Sequence, residues 1–354
     1  MSLKVIVFET NNYHTEVFPA YQYYLPHLLD TPIDITYYAN YYQVKQMAVN
    51  KLGVKPYFNK VFSFLISKLS LREFFVYRKV LRIVSSQKPC VVIFNSIDDA
   101  FSQKLFTKLN QLVPIKMGTV HNPLQFKFKR NEDKLFFVLC ETIYSNHYNT
   151  IDGYFLPFLQ PLKKISPSLP DSGSYLIGVQ GQIDFERRDY DLLIAAAKKL
   201  KAQGAKNLKF NIIGTLNIEK LQKKVVEGGF QELFVFHKRL DDQRFFEEIA
   251  KCDYLMPLLG RDQKVYFTSK MTASYSHSAA YGIPMIIYNE NASAWGLTSE
   301  QAMIYSDLNE LCEMLLNIEH HECLKLRFGE FVQLKLESNI KFLSDLGRNR
   351  QLLR

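Results

Sequence analysis

Two stretches of this chain gather side chains that could do chemistry. The first is the polar run ETNNYHTE, residues 9–16, directly after the apolar run Leu3–Phe8. Group transfer onto a hydroxyl with inversion needs a base beside that hydroxyl, with a pKa near the working pH. His14 fits that role, with Glu16 and Glu9 as alternatives; a surface or helix-capping histidine is the plainer reading of His14. The second stretch, TSKMTAS at residues 268–274, sets four hydroxyls and Lys270 immediately before a predicted helix. A diphosphate concentrates negative charge, which helix-terminal N–H groups and one or two cations hold well. Lys270, Thr272 and Ser274 could supply that site, with Arg188 as a second cation on the loop after another apolar run. Simple capping accounts for the Ser/Thr cluster equally well. Arg188, beside Arg187 and near Lys198 and Lys199, also reads as a solvated surface charge. Asp98 and Asp99 read as the cap of a helix beginning near Ala100. The one Asp-x-Asp, Asp189-Tyr190-Asp191, opens a predicted helix and is not flanked directly by apolar strands, and the five cysteines are scattered without a C-x-x-C pair. No metal site and no essential divalent ion are predicted, and the cysteines read as buried free thiols of a reducing compartment.

These groups need a scaffold, and the alternation of short apolar runs with longer amphipathic stretches predicts α/β units around parallel sheets. In the first half the strands are read at Leu3–Phe8, Ile33–Tyr38, Val91–Asn95, Ile115–Thr119 and Leu135–Val138. Each ends in polar residues, which would form loops at the carboxyl edge of the sheet, where ligands bind in such folds. Between Gln160 and Gly173 the texture changes to QPLKKISPSLPDSG, the composition of a linker. The pattern then restarts. Strands are predicted at Leu176–Val179, Phe210–Ile213, Leu233–Phe236, Tyr254–Pro257 and Pro284–Tyr288. Helices are predicted at Tyr190–Gln203, Asp241–Lys251, Thr272–Tyr281 and Leu308–Ile318, and a tail of one or two basic helices spans Glu322–Arg354. The predicted architecture is two doubly wound Rossmann-like domains facing across a cleft. The boundaries are 1–165, a linker at 166–174, 175–325, and C-terminal helices at 326–354 that could pack back on the first domain.

A chain of 354 residues suits two domains, and 47% hydrophobic with 22% charged residues is the composition of a folded globular protein. The net charge of +9 fits an anionic partner: nucleic acid, a nucleotide diphosphate or an acidic membrane leaflet. Basic residues are dispersed and no nucleic-acid-binding motif is present, so no nucleic-acid partner is expected. The segment Lys51–Arg82 mixes cations with many Phe, Tyr, Val, Leu and Ile. It reads either as basic amphipathic helices lying on an anionic membrane or as core-packed helices with a solvated basic face. The opening MSLKVIVFET reads as a strand, not a leader, and no apolar run is long enough to span a bilayer. The expected location is cytoplasmic, with the inner membrane face as an option. Gly-x-Ser-x-Gly and P-loop motifs are absent.

In order and content, the second half resembles the donor domain of GT-B glycosyltransferases, specifically their large retaining branch. In IGVQGQIDFERRDYDLLIAAAKKL, Gly181 takes the family's glycine position, Gln182 replaces its arginine, and Arg188 falls at its lysine. FNIIGT ends a strand at Gly214, DDQRFFEEIAKCDYLMPLL matches a helix-to-strand run, and AAYGIPMIIY matches a small-x-Gly-x-Pro step. In the first half MGTVHNP resembles the family's strand-then-histidine motif, which puts His121 near the donor sugar; a histidine that fixes its own turn before Pro123 is the ordinary alternative. The family's Glu-x7-Glu pair falls here on Ser269 and His277, so a retaining mechanism is not implied, although His277 could hydrogen-bond a ribose. A surface histidine paired locally is the other reading of His277. The resemblance implies a hexosyltransferase-like enzyme moving sugar from a nucleotide-sugar donor, UDP-linked by preference, to a saccharide or lipid-linked acceptor, with no cofactor. Two other readings stay open: a non-catalytic GT-B partner subunit of another transferase, and a nucleotide-sugar epimerase.

Overall fold

A computed structural model describes residues 2–11, 14, 17–41, 43–44, 52–68, 71–126, 134–156, 174–214, 217–237, 240–260 and 262–352. The linker stretch 160–173 and the candidate base Glu16 lie outside these. The chain forms two compact units, residues 1–159 with 336–354, and residues 160–335.

In the first unit the strands are β1 (Leu3–Phe8), β2 (Ile33–Ala39), β3 (Lys55–Pro56), β4 (Val91–Phe94), β5 (Ile115–Thr119), β6 (Lys134–Val138) and β7 (Gly153–Tyr154). They pair in parallel in the order β3-β2-β1-β4-β5-β6-β7. Helices α1 (Phe18–Leu29), α2 (Lys60–Lys68), α3 (Arg72–Gln87), α4 (Ala100–Lys108) and α5 (Glu141–His147) accompany them. A parallel sheet covered on both faces buries consecutive residues, not alternate ones. That is why Val5, Ile6, Val7 and Phe8 are all buried, and why this strand reads as an unbroken apolar run.

The second unit repeats the plan. Strands β8 (Tyr175–Gln180), β9 (Leu208–Ile213), β10 (Phe234–His237), β11 (Tyr254–Leu255), β12 (Met285–Tyr288) and β13 (Ala302–Tyr305) form a parallel sheet ordered β10-β9-β8-β11-β12-β13. The helices are α6 (Tyr190–Ala202), α7 (Ile218–Glu227), α8 (Asp242–Ala250), α9 (Val265–Thr268), α10 (Ala273–Tyr281), α11 (Asn289–Ala294) and α12 (Leu308–Leu316). Aspartates cap three of them: Asp189 accepts Leu192 N–H, Asp241 accepts Arg244 N–H, and Asp307 accepts Asn309 and Glu310 N–H.

The tail is one helix, α13 (Cys323–Arg350), of 28 residues. Its first part belongs to the second unit, where Lys325 pairs with Asp253 at 2.5 Å. From Leu336 onward it belongs to the first. There Asn339 donates to Tyr154 O at 2.9 Å and accepts Leu156 N–H at 3.3 Å, Phe342 stacks on Tyr154, and Arg350 meets the buried Asp152 at 2.5 Å. No helix among the described residues is long and apolar enough to cross a membrane.

Candidate functional site

In each sheet the strand order reverses once, between β1 and β4 in the first unit and between β8 and β11 in the second. Loops leaving neighbouring strands on opposite sides of such a reversal open a crevice at the carboxyl edge. The residues singled out for chemistry sit largely at these two places.

At the β1–β4 reversal, Glu9 follows β1 and is fully buried. Its Oε1 accepts Asn11 N–H at 2.6 Å, and its Oε2 accepts Asn95 Nδ2–H at 2.5 Å and Ser96 Oγ–H at 3.0 Å. Desolvation raises its pKa from 4.5 to about 7, against the pull of the Asn95 hydrogen bond and the His14 charge. Glu9 is therefore not placed as a base exposed to an acceptor; it anchors the edge. Asn95 is the hub: Nδ2 also donates to His14 O at 2.8 Å, Oδ1 accepts Tyr21 O–H at 2.8 Å, and its carbonyl meets His121 Nε2 at 2.8 Å. Because a carbonyl only accepts, that contact puts a proton on His121 Nε2. His14 sits at φ 72°, a left-handed backbone that non-glycine residues adopt rarely. Its ring stacks on His121 with centroids 3.8 Å apart and planes 17° from parallel.

The paired aspartates divide their work. Asp99 caps α4 through Ser102 N–H at 2.8 Å. Asp98 does not cap it. Asp98 accepts the backbone N–H groups of His121 (3.1 and 3.0 Å) and Asn122 (3.0 Å), so it holds the β5 loop that carries His121. The separation of 23 residues hides this role from a local reading of the sequence.

At the β8–β11 reversal, Gly181 follows β8 with φ +101°, and a Cβ there would lie 2.7 Å from Arg188 Nη2. Gly214, at the end of β9, faces Gly181 so closely that a Cβ would stand 2.1 Å from its carbonyl oxygen. Glycine at both positions lets two strand ends meet. Arg188 is half-buried and donates Nη1–H to Pro257 O at 2.5 Å. Burial holds its pKa below the ordinary arginine value, with Tyr190 pulling the other way. Among the described residues no carboxylate pairs with it at ion-pair distance. Its neighbour Arg187 is the exposed one, held by Asp184 at 2.7 Å and reaching Gln182 Oε1 at 3.2 Å. Gln182 is thereby engaged locally.

Helix α10 leads by a short turn into β12, which brings its N-terminus to the same carboxyl edge. Thr272 is its N-cap residue by backbone, yet its side chain caps nothing. Thr272 Oγ1 and Ser274 Oγ are both buried without a hydrogen-bond partner. Thr268 and Ser269, by contrast, bond back to Lys264 O and Val265 O. Lys270, beside them, is half-buried, and its carbonyl accepts Trp295 Nε1–H at 3.4 Å. His277 points into the unit instead: it is buried, its Nδ1 lies 2.9 Å from Gln180 Oε1, and Phe245 and Phe246 meet its ring edge-on. The surface-histidine reading of His277 does not hold.

No protein-family model and no curated protein sequence matches the chain. Solved structures do match along its whole length. A TarM variant from S. aureus in complex with fondaparinux, alpha-GlcNAc-glycerol and UDP superposes with a TM-score of 0.64 at 10% identity, covering 98% of this chain and 99% of that one. HepE of Anabaena in complex with UDP gives 0.59 at 10% identity, covering 98% of each. A putative UDP-N-acetylglucosamine 2-epimerase from Listeria monocytogenes gives 0.54 at 11% identity, covering 92% of this chain and 91% of that one. The backbone agreement and the two reversed parallel sheets together establish that this chain has the two-unit, Rossmann-like GT-B fold.

Proposed function

We propose that the protein is a glycosyltransferase that takes a sugar from a nucleotide-diphosphate donor, UDP-linked by preference, and passes it to a glycan or lipid-linked acceptor without an essential divalent ion. The observation that carries this reading is the pair of orphaned hydroxyls, Thr272 and Ser274, at the N-terminus of α10. A buried hydroxyl without a partner costs stability unless a ligand completes it. Helix N-terminal amides favour an anion, and Arg188 supplies a desolvated guanidinium with no carboxylate at ion-pair distance among the described residues. Lys270 and the Gly181–Gly214 backbone complete the donor side. On the first unit His14 serves as the acceptor base if the configuration inverts, while His121 orients the donor sugar if it is retained.

The test is thermal melting with UDP, GDP, TDP, CDP and CMP, with and without magnesium. A nucleotide at a hundred times its dissociation constant adds about 2.7 kcal/mol to the unit that binds it. Thr272→Val with Ser274→Ala should leave the unliganded protein as stable as before and weaken UDP binding about ten- to hundredfold. No shift with any nucleotide refutes the transferase reading and favours a non-catalytic partner subunit. A shift that the double variant leaves untouched refutes this location for the site.

A further inference from the structure

Basic residues are dispersed along this protein, but their excess over carboxylates is concentrated in one segment. From residue 51 to residue 88 the chain carries nine Lys and Arg against the single carboxylate Glu73, which accounts for +8 of its net +9. The same stretch gathers exposed apolar side chains. Of the twelve large hydrophobics that the described residues expose, five fall between residues 61 and 74: Val61, Phe64, Leu65, Leu71 and Phe74. Scattered exposed hydrophobics are ordinary; a cluster marks an interaction site.

The helix pair shows how the cluster is built. Phe62 of α2 packs edge-on against Phe75 of α3, with ring centroids 5.1 Å apart, and holds the two helices together. Val61, Phe64 and Leu65 follow one another at helical spacing on α2 and are about half exposed or more. On α3 the stripe at spacings of three and four runs Leu71, Phe74, Arg78, Arg82, apolar at its start and basic beyond. Arg78 lies over the Phe74 ring at 4.7 Å. An apolar surface with a cationic rim matches the acyl–headgroup boundary of an anionic leaflet, where aromatic rings insert and guanidinium groups meet phosphate.

We propose that α2 and α3 dock this protein on anionic lipid membranes, with Val61, Leu65 and Phe74 inserted and Arg78 and Arg82 at the headgroups. Docking there has a consequence for the first unit's site. α3 begins at the carboxyl edge of the sheet, where Arg72 donates to Thr10 O at 2.6 Å in the loop that follows Glu9. The membrane-facing helix pair and the His14 edge are thus tied by one hydrogen bond, so docking brings that edge near the lipid surface. The docking proposal stands on the helix pair and is independent of the transfer chemistry.

Vesicle co-sedimentation of the full chain tests it, with vesicles of phosphatidylcholine alone and with one-quarter phosphatidylglycerol. The protein should pellet with the anionic vesicles only and be released by salt. Arg78→Ser and Arg82→Ser should each weaken binding about fivefold. Leu65→Ser with Phe74→Ser should weaken it roughly tenfold or more while melting shows the protein still folded at the assay temperature, since both side chains are about half exposed. Failure to bind anionic vesicles, equal binding to neutral ones, or binding indifferent to these variants overturns the proposal. So does a dimer in light scattering that the same variants dissolve, which would assign the face to a second copy of the chain. The nucleotide melting shift, read on the same protein, separates the two readings: vesicle binding with no shift from any of the five nucleotides defeats only the transferase, and a shift without vesicle binding defeats only the docking.

Discussion

Replacing Glu9 with Gln isolates the electrostatics of the first unit's site. Folding takes the Glu9 carboxyl wholly out of water. Three hydrogen bonds favour its ionised form, but desolvation outweighs them and its pKa rises from 4.5 to about 7. Between those two values the folded protein keeps a proton that the unfolded chain releases. Stability contributed by the protonated group is therefore full below pH 4.5, falls as pH rises toward 7, and levels off above it. The span corresponds to about 3 kcal/mol. Gln cannot ionise, so Glu9→Gln removes this slope. It also turns one acceptor into a donor facing Asn95 Nδ2, a cost that shifts stability by the same amount at every pH. The assay is calorimetry of wild type and variant from pH 4.5 to 8.5, following the transition of the first unit, since two units need not melt together. Subtracting the two curves cancels every shared group except His14, whose charge is coupled to Glu9. The wild type should lose about 3 kcal/mol relative to the variant across the window. A flat difference, or one in which the wild type gains with pH, would show that the hydrogen bonds win over burial and that Glu9 is an ordinary ionised carboxylate.

Other consequences are simpler to read. Gly214→Ala drives a Cβ to 2.1 Å from Gly181 O, so the second unit should lose about 3 kcal/mol and nucleotide binding with it, measured by calorimetry and the UDP shift. Arg350→Ala takes the guanidinium from the buried Asp152, which keeps the Phe136 N–H, and should cost about 3 kcal/mol in the first unit while the second unit's transition stays in place. Burial pushes Cys252 up to about 12 and raises Cys140 and Cys312, so a disulfide reagent at pH 8 should label the exposed Cys323 first, the partly exposed Cys90 more slowly, and Cys140, Cys252 and Cys312 only in denaturant.

The strands were legible for a physical reason: a sheet buried on both faces writes itself as solid apolar runs. Leu3–Phe8 and Ile115–Thr119 were read to the residue. Asp99 could be recognised as a cap because its partner, Ser102 N–H, lies three residues on; Asp189, with the same spacing to Leu192, was not read as one. Short or interrupted elements escaped. β13 (Ala302–Tyr305) is only four residues long. α7 was passed over although Ile218, Leu221 and Val225 mark its buried face at helical spacing. The donor segment 268–274 was visible as a cluster of hydroxyls, but which of them cap and which stand unpaired depends on tertiary packing. Asn95 and Asp98 went unnoticed as organisers, and Glu9 as buried, because what they hold comes from distant parts of the chain.

Unit membership of the last helix bears on how the protein is made. Residues 336–354 complete a unit whose other members end at residue 159. During synthesis the second unit, 160–335, emerges whole and can close by itself. The first must wait for Asn339, Phe342 and Arg350, which at ordinary elongation rates arrive on the order of 10 to 40 seconds after Leu156. Through that interval Asp152 lacks its arginine, and the backbone groups of Tyr154 and Leu156 lack their asparagine. Emergence of residues 336–354, not translation of its own sheet, completes the N-terminal unit. A nascent chain stalled before residue 336 is one whose first-made part remains exposed to chaperones and proteases.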